Sequence, residues 1–281
     1  MRVGVGLPNT TTALSRELVL AWAAQADEGP FATLGVLDRL VYDSYEPLTT
    51  LAAAAAVTRR IGLATTIIIG PLRNTAVLAK SAATLDALSA GRFTLGIAVG
   101  ARRDDYEVGH VDYRARGQLL VEQLSALRSH WEDETMGPRP VQPNGPPIII
   151  GGSSDIAFAR VARYADGYIH GGGPPRAFAK AADKARASWI DAGRPGKPLL
   201  WAQGYYALGD KAIVEAGRNY MRRYYAFTGP FAEKIAEGML TTRQAIAQFV
   251  GGYRDAGCDE LILYPAISDL AQLDRLAEVI G

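Results

Sequence analysis

The sequence predicts an α/β protein folded as a (β/α)8 TIM barrel, one domain over residues 1–281. Three observations carry this reading. Eight apolar, β-branched-rich runs alternate strictly with segments of helical periodicity. The runs are nearly continuous, as parallel strands buried on both faces require. The first run is followed by LPNTTTALS, without the G-x-G-x-x-G turn expected of a doubly wound open sheet, the structural alternative. The length also sits near the ~250 residues typical of the barrel.

In chain order, strand 2–7 leads to helix 14–28, which starts at Ser15-x-x-Leu18 and stops at Gly29. Strand 33–37 precedes helix 47–59. Strand 61–69 precedes helix 75–89, whose Val77, Leu78, Leu85 and Leu88 share one side, with Gly91 at the C-cap. Strand 93–99 and helix 115–131 follow, then strand 147–151 with helix 154–165, and strand 167–170 with helix 175–192. Strand 199–208 is followed by a helical region, 211–237, that starts at Asp210. Helix 243–256 stops at Gly257 before strand 260–264, and a helix over 269–280 closes the chain. Two stretches break the alternation. Residues 132–147 are rich in Pro and Gly (GPRPVQPNGPP) and read as an ordered loop. Residues 211–240 form a helical insertion longer than one barrel helix needs, with Tyr220, Tyr224, Tyr225, Phe227 and Phe231. It is either a helix pair packed on the barrel or a cap whose aromatic side chains close over a substrate.

Composition narrows the classes. A net charge of +1 gives no nucleic-acid footprint and no polybasic membrane patch. The single cysteine, Cys258, excludes an internal disulfide and a multi-cysteine metal cluster, and reads as a small buried residue. No two histidines and a carboxylate fall at a metal-ligand spacing, so no metal is expected. The first residues read as strand and turn rather than a signal peptide. The longest apolar runs stop short of the ~20 residues of a membrane span. A cytoplasmic protein is the expectation.

Ligands of such barrels bind at the carboxyl ends of the strands. Thr65, Thr66, Pro71, Arg73, Asn74 and Gly100 lie near that rim. The second strand ends in Asp38-Arg39. Charges directly after a buried run either close the barrel top as a salt bridge or serve as an acid/base or anion-binding pair. The fifth unit, PPIIIGGSSDIAFARVARYADG, runs from a strand into Gly151, Gly152, Ser153 and Ser154 and then a helix. Helix-capping serines, exposed N–H groups and the positive dipole end make this a phosphate cradle. His170, before Gly171-Gly172-Gly173, is a proton-transfer group, a ring-contacting residue or simply a rim histidine bonded to a loop. Arg102 and Arg103, in the polar loop after the fourth strand, neutralise an anionic cofactor or are solvated loop charges.

These residues resemble the bacterial luciferase-like monooxygenases, flavin- or deazaflavin-dependent barrel enzymes. The likeness is strongest over LATTIIIGPLRNTAVLAKSAATLDALSAGRFTLGIAVGARRDDYEVGHVDYRARG. PPIIIGGSSDIAFARVARYADGYI and TTRQAIAQFVGGYRDAGCDELIL add to it. The resemblance implies FMN, or alternatively coenzyme F-420, at the carboxyl end of the barrel. It implies a non-prolyl cis peptide at Thr66–Ile67 behind the ring, ring contacts from Thr66 and Asn74, and phosphate contacts from Gly152, Ser153 and Ser154. Asp38 and Arg39 match a strand-2 position where some relatives place a catalytic histidine. This chain has none there, so that chemistry is not carried over.

The expected enzyme is therefore an oxidoreductase, with Arg39, His170 and Arg102 as candidates to polarise the reacting groups. Asp38, Thr65, Thr66, Ile67, Asn74, Gly100, Gly151, Gly152, Ser153 and Ser154 are the expected cofactor contacts. Reduced FMN from a separate reductase would act with oxygen on a small organic substrate. The F-420 alternative transfers a hydride without oxygen, with its own reductase. A barrel lyase or isomerase holding a phosphorylated metabolite at GGSS is the rival of another class. It wants a rim lysine or paired carboxylates, and no lysine stands at a strand's carboxyl end. A binding protein that keeps its flavin without turnover is a third possibility. A homodimer is expected through the second and third barrel helices, where the alanine-rich stretch 52–56 suits close packing.

Overall fold

The computed structural model describes residues 1–11 and 14–281. All the strands run parallel in one sheet that closes on itself: β1 (Arg2–Gly6), β2 (Thr33–Val36), β3 (Gly62–Thr65), β4 (Ile68–Ile69), β5 (Phe93–Ala98), β6 (Ile148–Gly151), β7 (Gly167–His170), β8 (Leu199–Tyr206) and β9 (Glu260–Pro265). β1 pairs with both β2 and β9, which shuts the barrel at Val5↔Leu34 and Val5↔Leu263. β3 and β4 are two halves of one stave, and both pair with β5, so the barrel has the eight staves expected.

Helices cover the outside: α1 (Arg16–Glu28), α2 (Pro47–Val57), α3 (Thr75–Leu88), α4 (Arg103–Val108), α5 (Arg116–Glu132), α6 (Asp155–Tyr164), α7 (Pro175–Asp191), α8 (Lys211–Tyr224), α9 (Phe231–Glu237), α10 (Arg243–Asp255) and α11 (Ala271–Ile280). Two predicted caps are made. Ser15 Oγ accepts from Leu18 N at 3.2 Å, and Asp210 Oδ1 accepts from Ile213 N at 2.9 Å. The polar stretch after β5, expected as a loop, contains α4, whose first turn carries Asp104 and Asp105 where a helix dipole favours negative charge. The 211–240 insertion is a helix pair, α8 and α9, joined by a 3₁₀ turn at Ala226–Thr228. Among the described residues no helix is long and apolar enough to cross a membrane.

Alternation along each strand divides the core in two. Outward residues such as Val5, Leu34, Leu63, Leu95, Ile148 and Leu261 pack against Trp22, Leu78, Leu127, Val161 and Phe178 of the helices. Inward residues Ile149, Ile169, Trp201, Ile262 and Tyr264 fill the barrel and meet the tyrosines of α8 above it. The interior alternates large with absent side chains. A Cβ on Gly6 would lie 2.1 Å from the Tyr264 ring, and one on Gly35 would lie 2.5 Å from its hydroxyl. Both glycines exist so that Tyr264 can cross the barrel.

At the closed end, Glu260 shares the inner face with Ile262 and Tyr264. Its carboxyl is fully buried and meets Arg2 at 2.7 Å. Burial pushes its pKa up, and Thr33 and Arg2 offset only part of that. The folded state therefore holds the proton to higher pH than the unfolded chain does. Its contribution to stability falls as pH rises from the ordinary glutamate value through the raised one. Glu260→Gln is expected to flatten that part of the profile, which urea unfolding across pH 4–8 measures.

Candidate functional site

The site starts from an irregularity in the third stave. Ala64 pairs with Thr94 and Ile68 with Ile97, so three residues of this stave face two of β5. This is a β-bulge, and the Thr66–Ile67 peptide within it is cis. Thr65 replaces the lost ladder bonds: its hydroxyl donates to Gly96 O at 2.7 Å and accepts from Gly96 N at 2.9 Å. Thr66 turns inward, donates to Val36 O at 3.3 Å and shares a hydrogen bond with the Tyr264 hydroxyl.

Above the bulge lies a cleft of about 380 Å³ at the carboxyl ends of the staves. Its floor is Thr66, Ile67, Ala98 and Ile169, and the flanking loops supply Val99, Gly100, Ala101 and Gly171. One end is formed by Gly151, Gly152, Ser153, Ser154, Ala157 and Arg160. Gly152 has φ +145°, and a Cβ there would come within 2.6 Å of the Ala157 methyl. Ser154 caps α6 through Ala157 N at 3.2 Å, while Ser153 is exposed at the cleft. Arg160 reaches back from α6 and donates one Nη2 bond to Gly117 O at 3.1 Å. Its Nε is buried without a partner. Burial, with Arg116 nearby as a second cause, lowers the Arg160 pKa. A serine hydroxyl, a helix N-terminus and the Arg160 guanidinium together complement an anion. The other end holds Gln203, whose Nε2 donates to Gly171 O at 3.4 Å and whose Oε1 is buried without a partner.

The structure thus brings together Thr66, Ile67, Gly100, Gly151, Gly152, Ser153 and Ser154. Other predicted residues hold structural contacts and do not line this cleft. Thr65 is fully buried and bonded to Gly96. Asn74 is exposed and spends Oδ1 on Val77 N as the N-cap of α3. Asp38 accepts from Ile69 N at 2.7 Å and pairs with Arg73 at 2.7 Å, fixing β4 against β2. Of the expected catalytic residues, Arg39 is held by Asp104 and Asp105. His170 lies on the outer face of β7, with Nδ1 3.1 Å from the Tyr168 hydroxyl and its ring 6.0 Å from Phe178. Burial lowers its pKa. Cys258 is buried with its thiol pushed up to about 12. Arg160 and Gln203 escaped the sequence reading. Gln203 left a signal, an uncharged polar residue in the apolar run LLWAQGYY. Arg160 left none, because it approaches from the body of a helix.

The aromatic end of α8 packs on the inward Tyr205 and Tyr264 of the barrel. Tyr220 and Tyr224 stack at 5.6 Å, and Tyr225 donates to the Tyr205 hydroxyl at 2.9 Å. Arg102 clamps this group. Its guanidinium lies 4.5 Å from the Tyr224 ring and 4.3 Å from Phe227, and it donates to Tyr224 O at 2.7 Å. Arg102→Ala is expected to cost about 1–2 kcal/mol. It should also speed chymotryptic cleavage around Tyr225 and Phe227, read as the appearance of an N-terminal fragment on a gel.

Comparison with known proteins agrees with this architecture. The profile of the luciferase-like monooxygenase family matches residues 1–256. An uncharacterized protein of Mycobacterium tuberculosis is 33% identical over 182 residues, 59% of this chain and 64% of its own. The chain thus spans less than two thirds of that relative's length. An F-420-dependent secondary alcohol dehydrogenase, solved with an F-420–acetone adduct, superposes with TM-score 0.80 at 18% identity over 99% of this chain and 98% of its own. The oxygenating constituent of 3,6-diketocamphane monooxygenase from Pseudomonas putida, solved with FMN, gives 0.72 at 15% identity over 94% and 91%.

Proposed function

The chain belongs to the luciferase-like monooxygenase family, and from that premise we propose that it is an oxidoreductase that binds reduced FMN in the cleft above the third stave and acts with oxygen on a small organic substrate. The observation that carries this is the pairing of an anion-binding end with an apolar floor in one cleft. The buried, unpartnered Arg160 Nε and the Ser153 hydroxyl face one end, and Gln203 Oε1 is unpartnered at the other. Such orphaned polar atoms are costly unless a ligand satisfies them. A flavin phosphate fits the first and a ring N–H the second.

When bound, reduced flavin supplies the electron pair for the reaction with oxygen. The protein does the rest by position. Ser153, Arg160 and the first amides of α6 hold the phosphate. Ile67, Ala98 and Ile169 give the ring an apolar seat, and Gln203 orients its edge. The Tyr205–Tyr225 pair and the Arg102 clamp keep water from the barrel mouth. Arg39 and Arg102 act as positioning residues for that cover. We further assign a cytoplasmic homodimer supplied by a separate reductase. It would join through α2 and α3, whose outer faces leave Val57, Val77 and Leu88 exposed.

The test is anaerobic titration with reduced FMN, reduced riboflavin and reduced F-420, following tryptophan fluorescence. Ser153→Ala with Arg160→Met is expected to weaken FMN about 10–100-fold, the worth of a charge-assisted phosphate contact, and to leave riboflavin unchanged. Equal loss for both would place the phosphate elsewhere. Binding of F-420 alone would move the reading to hydride transfer, and no binding by any of the three would remove it.

A further inference from the structure

A second and larger cavity, about 680 Å³, lies at the carboxyl ends of β7 and β8. It is bounded by His170 of β7, Gly204 and Tyr205 of β8, the loop after β7, and α7, α8, α9 and α10. Only the backbone of Gly171 belongs to both this chamber and the cleft above the third stave. Its wall is made by Met221, Tyr225, Ile235, Met239, Leu240 and Phe249. Two methionines among rigid rings make a lining that adapts to the shape of an apolar guest. Phe231 stands at the entrance with 56% of its surface exposed, so apolar area continues out to the mouth.

Polar groups are few and placed at two points. Inside, His170 turns its imidazole to the chamber. Nδ1 is taken by Tyr168, and Nε2 is buried without a hydrogen-bond partner. At the rim, Lys234 lies on α9 beside Phe231, its Nζ 5.9 Å from the ring. Among the described residues Lys234 makes no ion pair, whereas its neighbour Glu233 is taken by Arg222 at 2.7 Å. An apolar chamber of this size with one free cation at its mouth matches a small-molecule site rather than a packing defect.

We propose that this chamber is a second ligand site for an apolar organic acid. The hydrocarbon or aromatic body lies between Phe249 and the two methionines. The carboxylate or sulfonate rests on Lys234. His170 Nε2 meets any hydroxyl or carbonyl carried along the body.

The full-length chain is titrated with 8-anilinonaphthalene-1-sulfonate, an apolar body with one anionic group, and the fluorescence rise is followed. Ala177, on the α7 side of the wall, is replaced by Trp to fill the space. Ala177→Trp is expected to weaken the probe at least about tenfold, because the chamber no longer has room. Lys234→Gln is expected to weaken it about threefold, the worth of a half-solvated ion pair. Dodecanoate should displace the probe better than dodecan-1-ol from the wild type and lose that advantage in Lys234→Gln. Unchanged probe affinity in a folded Ala177→Trp variant would overturn the assignment. So would equal competition by the acid and the alcohol in the wild type, which would make the ligand neutral. If Ala177→Trp does not fold, Lys234→Gln, on an exposed helix face, decides by itself. None of these readouts depends on flavin.

Discussion

Gly96→Ala is expected to lower the unfolding free energy by about 3 kcal/mol or more and to abolish the proposed flavin binding. A Cβ at this position would lie 2.0 Å from the carbonyl oxygen of Thr65. That atom is backbone, so no side chain can swing aside. The neighbouring stave must move, and it cannot move freely: Thr65 grips Gly96 through both of its backbone groups, and Thr66 is tied to Val36 and Tyr264. One methyl thus pushes on the segment that forms the cleft floor. The nearby Gly151, whose Cβ would meet Ala98 and Ile67 at an ordinary 3.5 Å, is the control. Gly151→Ala should keep most of the stability, because its methyl points into the open cleft. Urea unfolding of the two variants, with flavin titration of each, separates a lost bulge from a lost contact. Equal and small stability losses would mean that the third stave is softer than its hydrogen bonds imply.

The same stave shows where a sequence stops being readable. Residues 61–69 form one nearly continuous apolar run, which alone has no mark for a change of register; the cis peptide at Thr66–Ile67 was implied by the family resemblance and is present. The break at Thr66–Ile67 follows from pairing against β5, a partner some thirty residues away. The barrel itself was legible because each stave is buried on both faces and must therefore be apolar throughout. The turn at 151–154 was legible because a serine directly before a helix caps it, as Ser154 does on Ala157 N. Asp38 and Asn74 were placed at the rim correctly, yet position along a strand does not give side-chain direction. Asp38 turned to Arg73 and the Ile69 amide, and Asn74 to its own helix. An acid or amide at a strand end serves a cap or an ion pair as well as a ligand, and only the fold decides. His170 illustrates the same ambiguity by parity: inward Ile169 lies beside outward His170, so a rim histidine ended on the wall of another cavity.

Arg39→Met is expected to cost roughly 3–5 kcal/mol, the penalty for leaving a buried carboxylate without its cation. The Arg39 side chain is 6% exposed and that of Asp105 is 1%. Arg39 Nε lies 3.1 Å from Asp105 Oδ2, and Nη2 donates to Asp104 at 2.9 Å and to Val41 O at 2.8 Å. Asp105 Oδ1 accepts in addition from Leu40 N and Val41 N, at 3.0 and 2.7 Å. The fork geometry means that Arg39→Lys should recover only part of the loss. A catalytic arginine would behave oppositely, with turnover abolished and urea midpoint kept. The placement also has a reach beyond its own stability. Asp104 and Asp105 form the first turn of α4, and the residue before that helix is Arg102. Anchoring α4 to the loop after β2 therefore fixes the base of the clamp that closes on Tyr224 and Phe227. Arg39→Met should for this reason raise chymotryptic cleavage near Tyr225 as Arg102→Ala does. The double variant should cleave little faster than the more damaged single one, since both changes release the same contact. Additive effects would separate the ion pair from the clamp and leave Arg39 as a local anchor of the β2 loop alone.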